Sequence, residues 1–238
     1  MKTSHLSLAG LRVAVTGGTS GLGLALVRQL HQAGATVAFV ARDAARVAEV
    51  AQRFAGTHGI AADVAHKEGT HPLALRITAA LGGLDVLINN ASTLGPVPLA
   101  PLADTECEDF EAALATNVLG PFRLTKALLG ALAASARQGG GALVVNISSD
   151  AAAGAYANWG AYGASKAALA HMSRIWDEEL REHGVRVIAH DPGDMDTPLH
   201  ALAIPDADPA DLKTPDRSAR ELLDRLTQSI ALQAEVSA

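Results

Sequence analysis

Tyr162 and Lys166 stand four residues apart, a spacing that puts two side chains on one face of a helix. A free phenol ionises near pH ~10, too high for easy proton exchange at neutrality. A cation one turn away favours the phenolate and lowers that value, so the pair reads as an acid/base. The competing view is an ordinary helix face that carries the pattern by chance. Ser149 lies thirteen residues before Tyr162, after the apolar run Ala142–Ile147. A hydroxyl at the carboxyl end of a strand can hydrogen-bond a substrate carbonyl. Ser148 is the neighbouring alternative, with its side chain on the other face of the strand. Asp150, Tyr156, Trp159 and His200 fall near these residues and are the pocket candidates. Trp159 and Tyr156 suit an apolar or ring substrate, or serve only as wall or interface.

A second motif is Thr16-Gly17-Gly18-Thr19-Ser20-Gly21-Leu22-Gly23. Glycines at a strand-to-helix turn let backbone approach a pyrophosphate, and the helix N-terminus offers free N–H groups and a positive dipole end. The spacing is G-x-x-x-G-x-G rather than the usual dinucleotide fingerprint, and tight turns also use glycine for steric reasons alone. The next strand ends at Ala41-Arg42-Asp43. An Arg there suits the 2′-phosphate of NADP(H), and an acidic residue suits the ribose hydroxyl of NAD(H). Arg42 comes first, so NADP(H) is favoured, with NAD(H) open through Asp43.

These residues need a scaffold. Apolar runs at Leu11–Val15, Thr36–Ala41, Gly59–Asp63, Leu84–Asn89, Ala142–Ile147 and Val185–His190 read as strands. They are nearly continuous in apolar residues, as in a parallel sheet covered on both faces. Helices are expected over Leu22–Gln32, Arg42–Ala55, Thr105–Ala134 and Gly160–His183. The alternation implies one doubly wound α/β domain over 1–238, with a mostly parallel sheet of six or seven strands. The seventh would come from the alternating Ile230, Leu232, Ala234 and Val236, whereas Ala219–Gln228 has helical spacing. The irregular stretch 194–215, with four prolines, reads as a mobile loop over the site.

Composition limits the alternatives. The 238 residues are 49% hydrophobic and 18% charged, which argues against disorder. A net charge of -6 argues against a nucleic-acid partner. No run approaches the ~18 apolar residues of a membrane span, and Met1–Gly10 lacks the apolar stretch of a signal peptide. A single cysteine, Cys107, fits a cytoplasmic location. The nine histidines form no tight metal-ligand spacing. Alanine is used 49 times, and only eight residues are aromatic. Small side chains must therefore do most of the packing.

Gly17, Gly21 and Gly23, Asn89-Asn90-Ala91, Asn117, Ser149, Tyr162 with Lys166, and Pro192-Gly193 follow in order. In order and spacing the chain resembles the short-chain dehydrogenase/reductase family over about residues 8–200. The resemblance implies a Rossmann fold that binds NAD(P) without a metal. It implies that Gly17 to Gly23, with Thr19, Ser20 and Leu22, cradle the pyrophosphate. Asp63 and Val64 would contact adenine, and Asn90 and Ala91 would lie beside the cofactor ribose. Pro192, Gly193, Met195 and Thr197 would border the nicotinamide. Asn117, Ser149, Tyr162 and Lys166 match the catalytic tetrad. In it Asn117 positions water from a slight break in the long helix, and Lys166 holds the ribose and lowers the tyrosine pKa.

The chain departs from the pattern in three places. Ser92 stands where a glycine is usual, His190-Asp191 precede Pro192, and a glycine-rich terminal segment is missing. His190 and Asp191 read as a structural hydrogen-bonding pair. The missing segment points to a homodimer through the two long helices, with a tetramer as the other assembly. The expected function is NADP(H)-dependent oxidation or reduction of a small or medium carbonyl or alcohol. The alternatives are an NAD-dependent alcohol dehydrogenase, a non-catalytic NAD(P) sensor, and an epimerase or dehydratase of the longer form of the fold. A complete tetrad speaks against the sensor, and the chain length against the last.

Overall fold

A computed structural model describes residues 8–139 and 141–236, so most of Met1–Gly10 lies outside the described residues. Six strands are formed: β1 Arg12–Thr16, β2 Thr36–Ala41, β3 His58–Ala61, β4 Val86–Asn89, β5 Ala142–Ile147 and β6 Val185–His190. All pair in parallel, in the order β3-β2-β1-β4-β5-β6. The helices are α1 Gly21–Gln32, α2 Ala44–Arg53, α3 Thr70–Leu81, α4 Cys107–Leu114, α5 Gly120–Arg137, α6 Gly160–Leu180, α7 Pro198–Ala203 and α8 Pro215–Val236. The chain reverses direction across the sheet between β1 and β4. In such sheets ligands bind outside the strand C-termini at that reversal.

Alternation along each strand sends side chains to two separate cores. Val13, Val15, Val37 and Phe39 meet Leu26 and Leu30 of α1 and Leu222 and Leu226 of α8 on one face. Ala14, Ala38, Val144 and Val187 meet Ile77 of α3 and Leu124 and Leu128 of α5 on the other. Alanines on this second face leave room for close helices. A buried polar ladder crosses it. Asn89 Nδ2 donates to Asn146 Oδ1 at 2.8 Å and to Thr125 Oγ1 at 3.2 Å, and Asn146 Nδ2 donates to Ser173 Oγ at 2.8 Å. It fixes β4 and β5 against α5 and α6.

Four elements differ from the sequence expectation. The alternating residues at the chain end belong to α8, because Leu222, Leu223, Leu226 and Ile230 bury at helical spacing. No seventh strand therefore exists among the described residues. The helix expected over 105–134 is two helices joined by a π-helical segment, Ala115–Leu119. Helix α6 gives way to a 3-10 turn at Arg181–His183. Helix α3 is an addition, carried by Leu73, Ile77 and Leu81 at four-residue spacing. No described helix is long and apolar enough to cross a membrane.

Asp85 anchors the end of the sheet away from the cleft. Its carboxylate accepts from the Arg12 backbone N–H at 2.8 Å, from Arg12 Nε at 3.0 Å and Nη2 at 2.6 Å, and from the Ser135 hydroxyl. Burial pushes its pKa up, but hydrogen bonds from Arg12 and Ser135 outweigh that and hold it below the ordinary 3.8. A depressed carboxylate stabilises the fold at pH above its unfolded value, and that stabilisation is lost as pH falls through the folded one. Asp85→Asn should cost roughly 3 kcal/mol by urea denaturation at pH 7. The difference between variant and wild type should shrink below about pH 4, which melting temperatures across pH will show.

Candidate active site

The turn after β1 is tight because no side chain stands in it. Gly17 and Gly21 have φ of +71° and +49°, in the region that favours glycine. A Cβ on Gly23 would sit 2.1 Å from the Gly17 carbonyl oxygen, and one on Gly17 would sit 2.8 Å from Asn90 Nδ2. Two cross-links hold the turn to the residues after β4. Thr16 Oγ1 accepts from the N–H groups of Asn90 and Ala91, both at 3.0 Å. Asn90 Nδ2 donates to the carbonyls of Thr16 at 2.9 Å and Gly17 at 3.3 Å. Ser20 precedes α1 without a side-chain capping bond, and the first turn carries no acid. That leaves helix N–H groups and the dipole end facing the cleft, which fits a pyrophosphate.

The cleft encloses about 440 Å³ along the C-terminal ends of the strands. Gly17, Thr19, Ser20, Gly21 and Leu22 line one end of it, with Arg42, Asp63, Val64, Asn90 and Ala91. Ser149, Tyr162, Lys166, Pro192, Gly193, Met195 and Thr197 line the rest. Gly23 is not a lining residue; its role is the close packing just described. Asp43 lines the cleft but is committed to α2, accepting from the N–H groups of Ala45 and Arg46 at 2.9 and 3.1 Å. Arg46, in the first turn of α2, joins Arg42 at the wall, and both are exposed. The sequence reading missed Arg46, since Arg42 lies before the helix and spacing alone does not pair them.

Tyr162 is 8% exposed and Lys166 2%. Lys166 Nζ lies 5.4 Å from the Tyr162 ring centroid and donates to the Ile147 carbonyl at 2.8 Å. Burial lowers the Lys166 pKa to about 8, opposed by Asp191. Burial also pushes Tyr162 up to about 12; hydrogen bonds with Ser149 and Ser92 lower it, while Asp191 and Asp150 raise it. A tyrosine pKa lowered by Lys166 was expected. In this cleft desolvation and nearby carboxylates win instead, so Tyr162 keeps its proton through neutral pH. The Ser149 hydroxyl accepts from Ala151 N–H at 3.2 Å and donates to Asp150 Oδ1 at 2.9 Å.

Asn117 sits in the π-helical segment, buried and away from the cleft lining. Its amide donates to the Thr93 carbonyl and to Ser165 Oγ, both at 2.8 Å. It accepts from Thr93 N–H at 2.9 Å and from Ser92 Oγ at 3.1 Å. Its side chain therefore braces the loop after β4 against α6. Ser92, where a glycine is usual, thus adds a hydroxyl bond to Asn117 that a glycine would lack.

On the substrate side, Trp159 stacks edge-on to Tyr162 with centroids 5.7 Å apart. Leu94, Leu199 and Ala203 complete an apolar wall, and Leu99 packs against the same cluster without lining the cleft. His200 of α7 and Asp150 line the cleft. Tyr156 does not; its hydroxyl turns aside to donate to Asp150 Oδ2 at 2.8 Å. Segment 194–215 closes on itself, with Asp196 N–H donating to the Lys213 carbonyl and Lys213 N–H to the Asp194 carbonyl. Helix α8 holds its base, since Ser218 Oγ donates to the Pro192 carbonyl at 3.0 Å. Asp191 Oδ1 accepts from Gly193 N–H at 2.9 Å, and Arg225 Nη1 lies 3.2 Å from His190 Nδ1.

Comparison with known proteins agrees with this geometry. The family model described as short chain dehydrogenase matches residues 12–207. L-fucose dehydrogenase of Mus musculus is 33% identical over 202 residues, 84% of this chain and 71% of that protein. A solved Escherichia coli chain in complex with NADPH has a TM-score of 0.84 at 30% identity, covering 93% of this chain and 92% of that one. A 3-ketoacyl-(acyl-carrier-protein) reductase of Brucella melitensis, complexed with NADH, has a TM-score of 0.85 at 26% identity, covering 91% and 90%. With the glycine turn, the Tyr162/Lys166 pair and Ser149 in one cleft, the chain belongs to the short-chain dehydrogenase/reductase family, oxidoreductases acting on CH–OH and C=O groups with NAD(P).

Proposed function

We propose that this oxidoreductase uses NADP(H) in preference to NAD(H) and acts on a small or medium carbonyl compound or its alcohol. The observation that carries the cofactor preference is the end of β2. There Arg42 and Arg46 are exposed at the cleft wall, without an ion pair among the described residues. The one carboxylate beside them, Asp43, already caps α2. Two guanidinium groups suit a 2′-phosphate, whereas the capping bonds turn Asp43 Oδ1 towards α2.

Bound NADP(H) supplies or accepts the hydride. The protein supplies placement and the proton. A carbonyl oxygen between Ser149 Oγ and Tyr162 Oη accepts a hydrogen bond from the serine, which draws electron density from its carbon. Tyr162, protonated because burial raises it, gives its proton to that oxygen during reduction. The buried Lys166 ammonium, held by the Ile147 carbonyl, stabilises the tyrosinate left behind. Segment 194–215 covers the substrate and excludes water. A homodimer forms through α5 and α6, whose faces carry half-buried Phe122 and Trp176 beside the exposed Ile175. Small-angle scattering that gives a monomer or a compact tetramer would refute this assembly.

The pH dependence follows from Lys166. A lysine near 8 is charged below that pH and loses its charge above it. Reductive kcat/KM, followed by NADPH consumption against a panel of aldehydes and ketones, should be level on the acid side and decline as pH rises through about 8. Tyr162→Phe should reduce turnover by about a hundredfold to ten-thousandfold with NADPH binding nearly intact, and retained activity would refute the role of Tyr162. Replacing Arg42 and Arg46 together with alanine should raise the NADPH dissociation constant by roughly tenfold to a hundredfold. NADH affinity should barely change; equal losses for both cofactors would refute the 2′-phosphate assignment.

A further inference from the structure

Asp150 occupies a position that the transfer of hydride does not explain. It directly follows Ser149, lines the cleft, and turns both carboxylate oxygens to hydroxyl groups. Oδ1 accepts from Ser149 Oγ at 2.9 Å and from Ala151 N–H at 2.7 Å, and Oδ2 accepts from Tyr156 at 2.8 Å. Its own backbone N–H adds to these donors, so an incoming hydroxyl must take the place of one of them. The Ser149 hydroxyl has one proton, and it points at Asp150 rather than at the place a carbonyl would take.

We propose that Asp150 is a specificity-determining residue that binds a hydroxyl on the carbon next to the reacting one, so that the substrate is a neutral α-hydroxy ketone or vicinal diol. The proposal rests on the oxidoreductase reading of the same cleft. Vicinal oxygens in a gauche arrangement stand about as far apart as a hydrogen-bonded oxygen pair, roughly 2.8 Å. That separation matches the 2.9 Å between Ser149 Oγ and Asp150 Oδ1. One substrate oxygen then takes the Ser149 proton, and the neighbouring hydroxyl replaces that proton as donor to Asp150. A substrate without the second hydroxyl leaves Ser149 donating to Asp150, and its carbonyl loses the serine.

The same carboxylate disfavours anionic substrates. Asp191 and Asp194 share this end of the cleft. The Lys166 ammonium there is already bonded to a backbone carbonyl. A keto acid or phosphorylated sugar would bring a like charge beside Asp150 with no guanidinium to receive it, since Arg42 and Arg46 line the opposite end. Lowered below its ordinary pKa by hydrogen bonds from Tyr156 and Ser149 that outweigh its burial, Asp150 stays charged throughout the neutral range.

The test uses complexes of the enzyme with NADPH and an alcohol, which cannot react. Titration calorimetry measures binding of trans-cyclohexane-1,2-diol, cyclohexanol and cyclohexanecarboxylate to the full chain saturated with NADPH. The diol should bind about tenfold more tightly than cyclohexanol, and the carboxylate should bind more weakly than either. Asp150→Asn should narrow the gap between diol and alcohol, and Asp150→Ala should close it, with NADPH affinity measured alongside as the control on folding. Equal affinity for diol and alcohol in the wild type, no binding of the diol, or an unchanged preference in Asp150→Ala would each overturn the proposal. Turnover separates it from the reading beneath. A chain that reduces cyclohexanone and 2-hydroxycyclohexanone equally well refutes the role of Asp150. One that binds NADPH and reduces neither refutes the oxidoreductase reading, and this inference with it.

Discussion

The cleft exists because Gly23 lies against the carbonyl of Gly17. That contact leaves no room for a Cβ, and it brings the start of α1 down onto the end of β1. Thr16 and Asn90 then lock the turn to the segment after β4. The amide of Asn90 is used inside the protein, donating to two backbone carbonyls of the turn. The position of Ala91 and Ser92, and through Ser92 that of Asn117, follows from this joint.

At the other end of the cleft the governing quantity is burial. Tyr162 and Lys166 sit close enough for the cation to favour the phenolate, yet both are withdrawn from water. Desolvation disfavours the charged form of each, so the tyrosine rises and the lysine falls. Ordinarily almost equal, the two values are driven apart, to about 12 for the phenol and about 8 for the amine. The phenol therefore holds its proton at neutral pH, while the amine beside it begins to lose its own near 8. The Ile147 carbonyl keeps the ammonium from losing its proton more readily still.

Much of this was legible in the chain. Three strands were bounded to the residue, Thr36–Ala41, Ala142–Ile147 and Val185–His190, because their apolar runs are continuous and flanked by turn residues. The break at Asn117 was anticipated as slight; it is a π-helical segment, a form that no local pattern marks. Two kinds of information were hidden. The first is side-chain commitment: spacing does not show that Asp43 caps α2, nor that the Tyr156 hydroxyl turns from the cleft to Asp150. The second is competition between opposed effects. Spacing reveals the lysine near the tyrosine but not how much water the fold removes. The last helix was ambiguous because Ile230 to Val236 satisfies both periods at once, and burial of Leu222 and Leu226 decides for the helix.

The bond from Ser218 to the Pro192 carbonyl ties the site to the order of synthesis. A chain emerges N-terminus first and its units fold as they appear. The glycine turn, the Asn90 lock and the two arginines are all present once about the first 91 residues have emerged. The segment after β6 has no such support until α8 follows it and supplies Ser218. The residues of the cofactor end are thus made first, but the core beneath them and the substrate end alike are complete only when α8 docks.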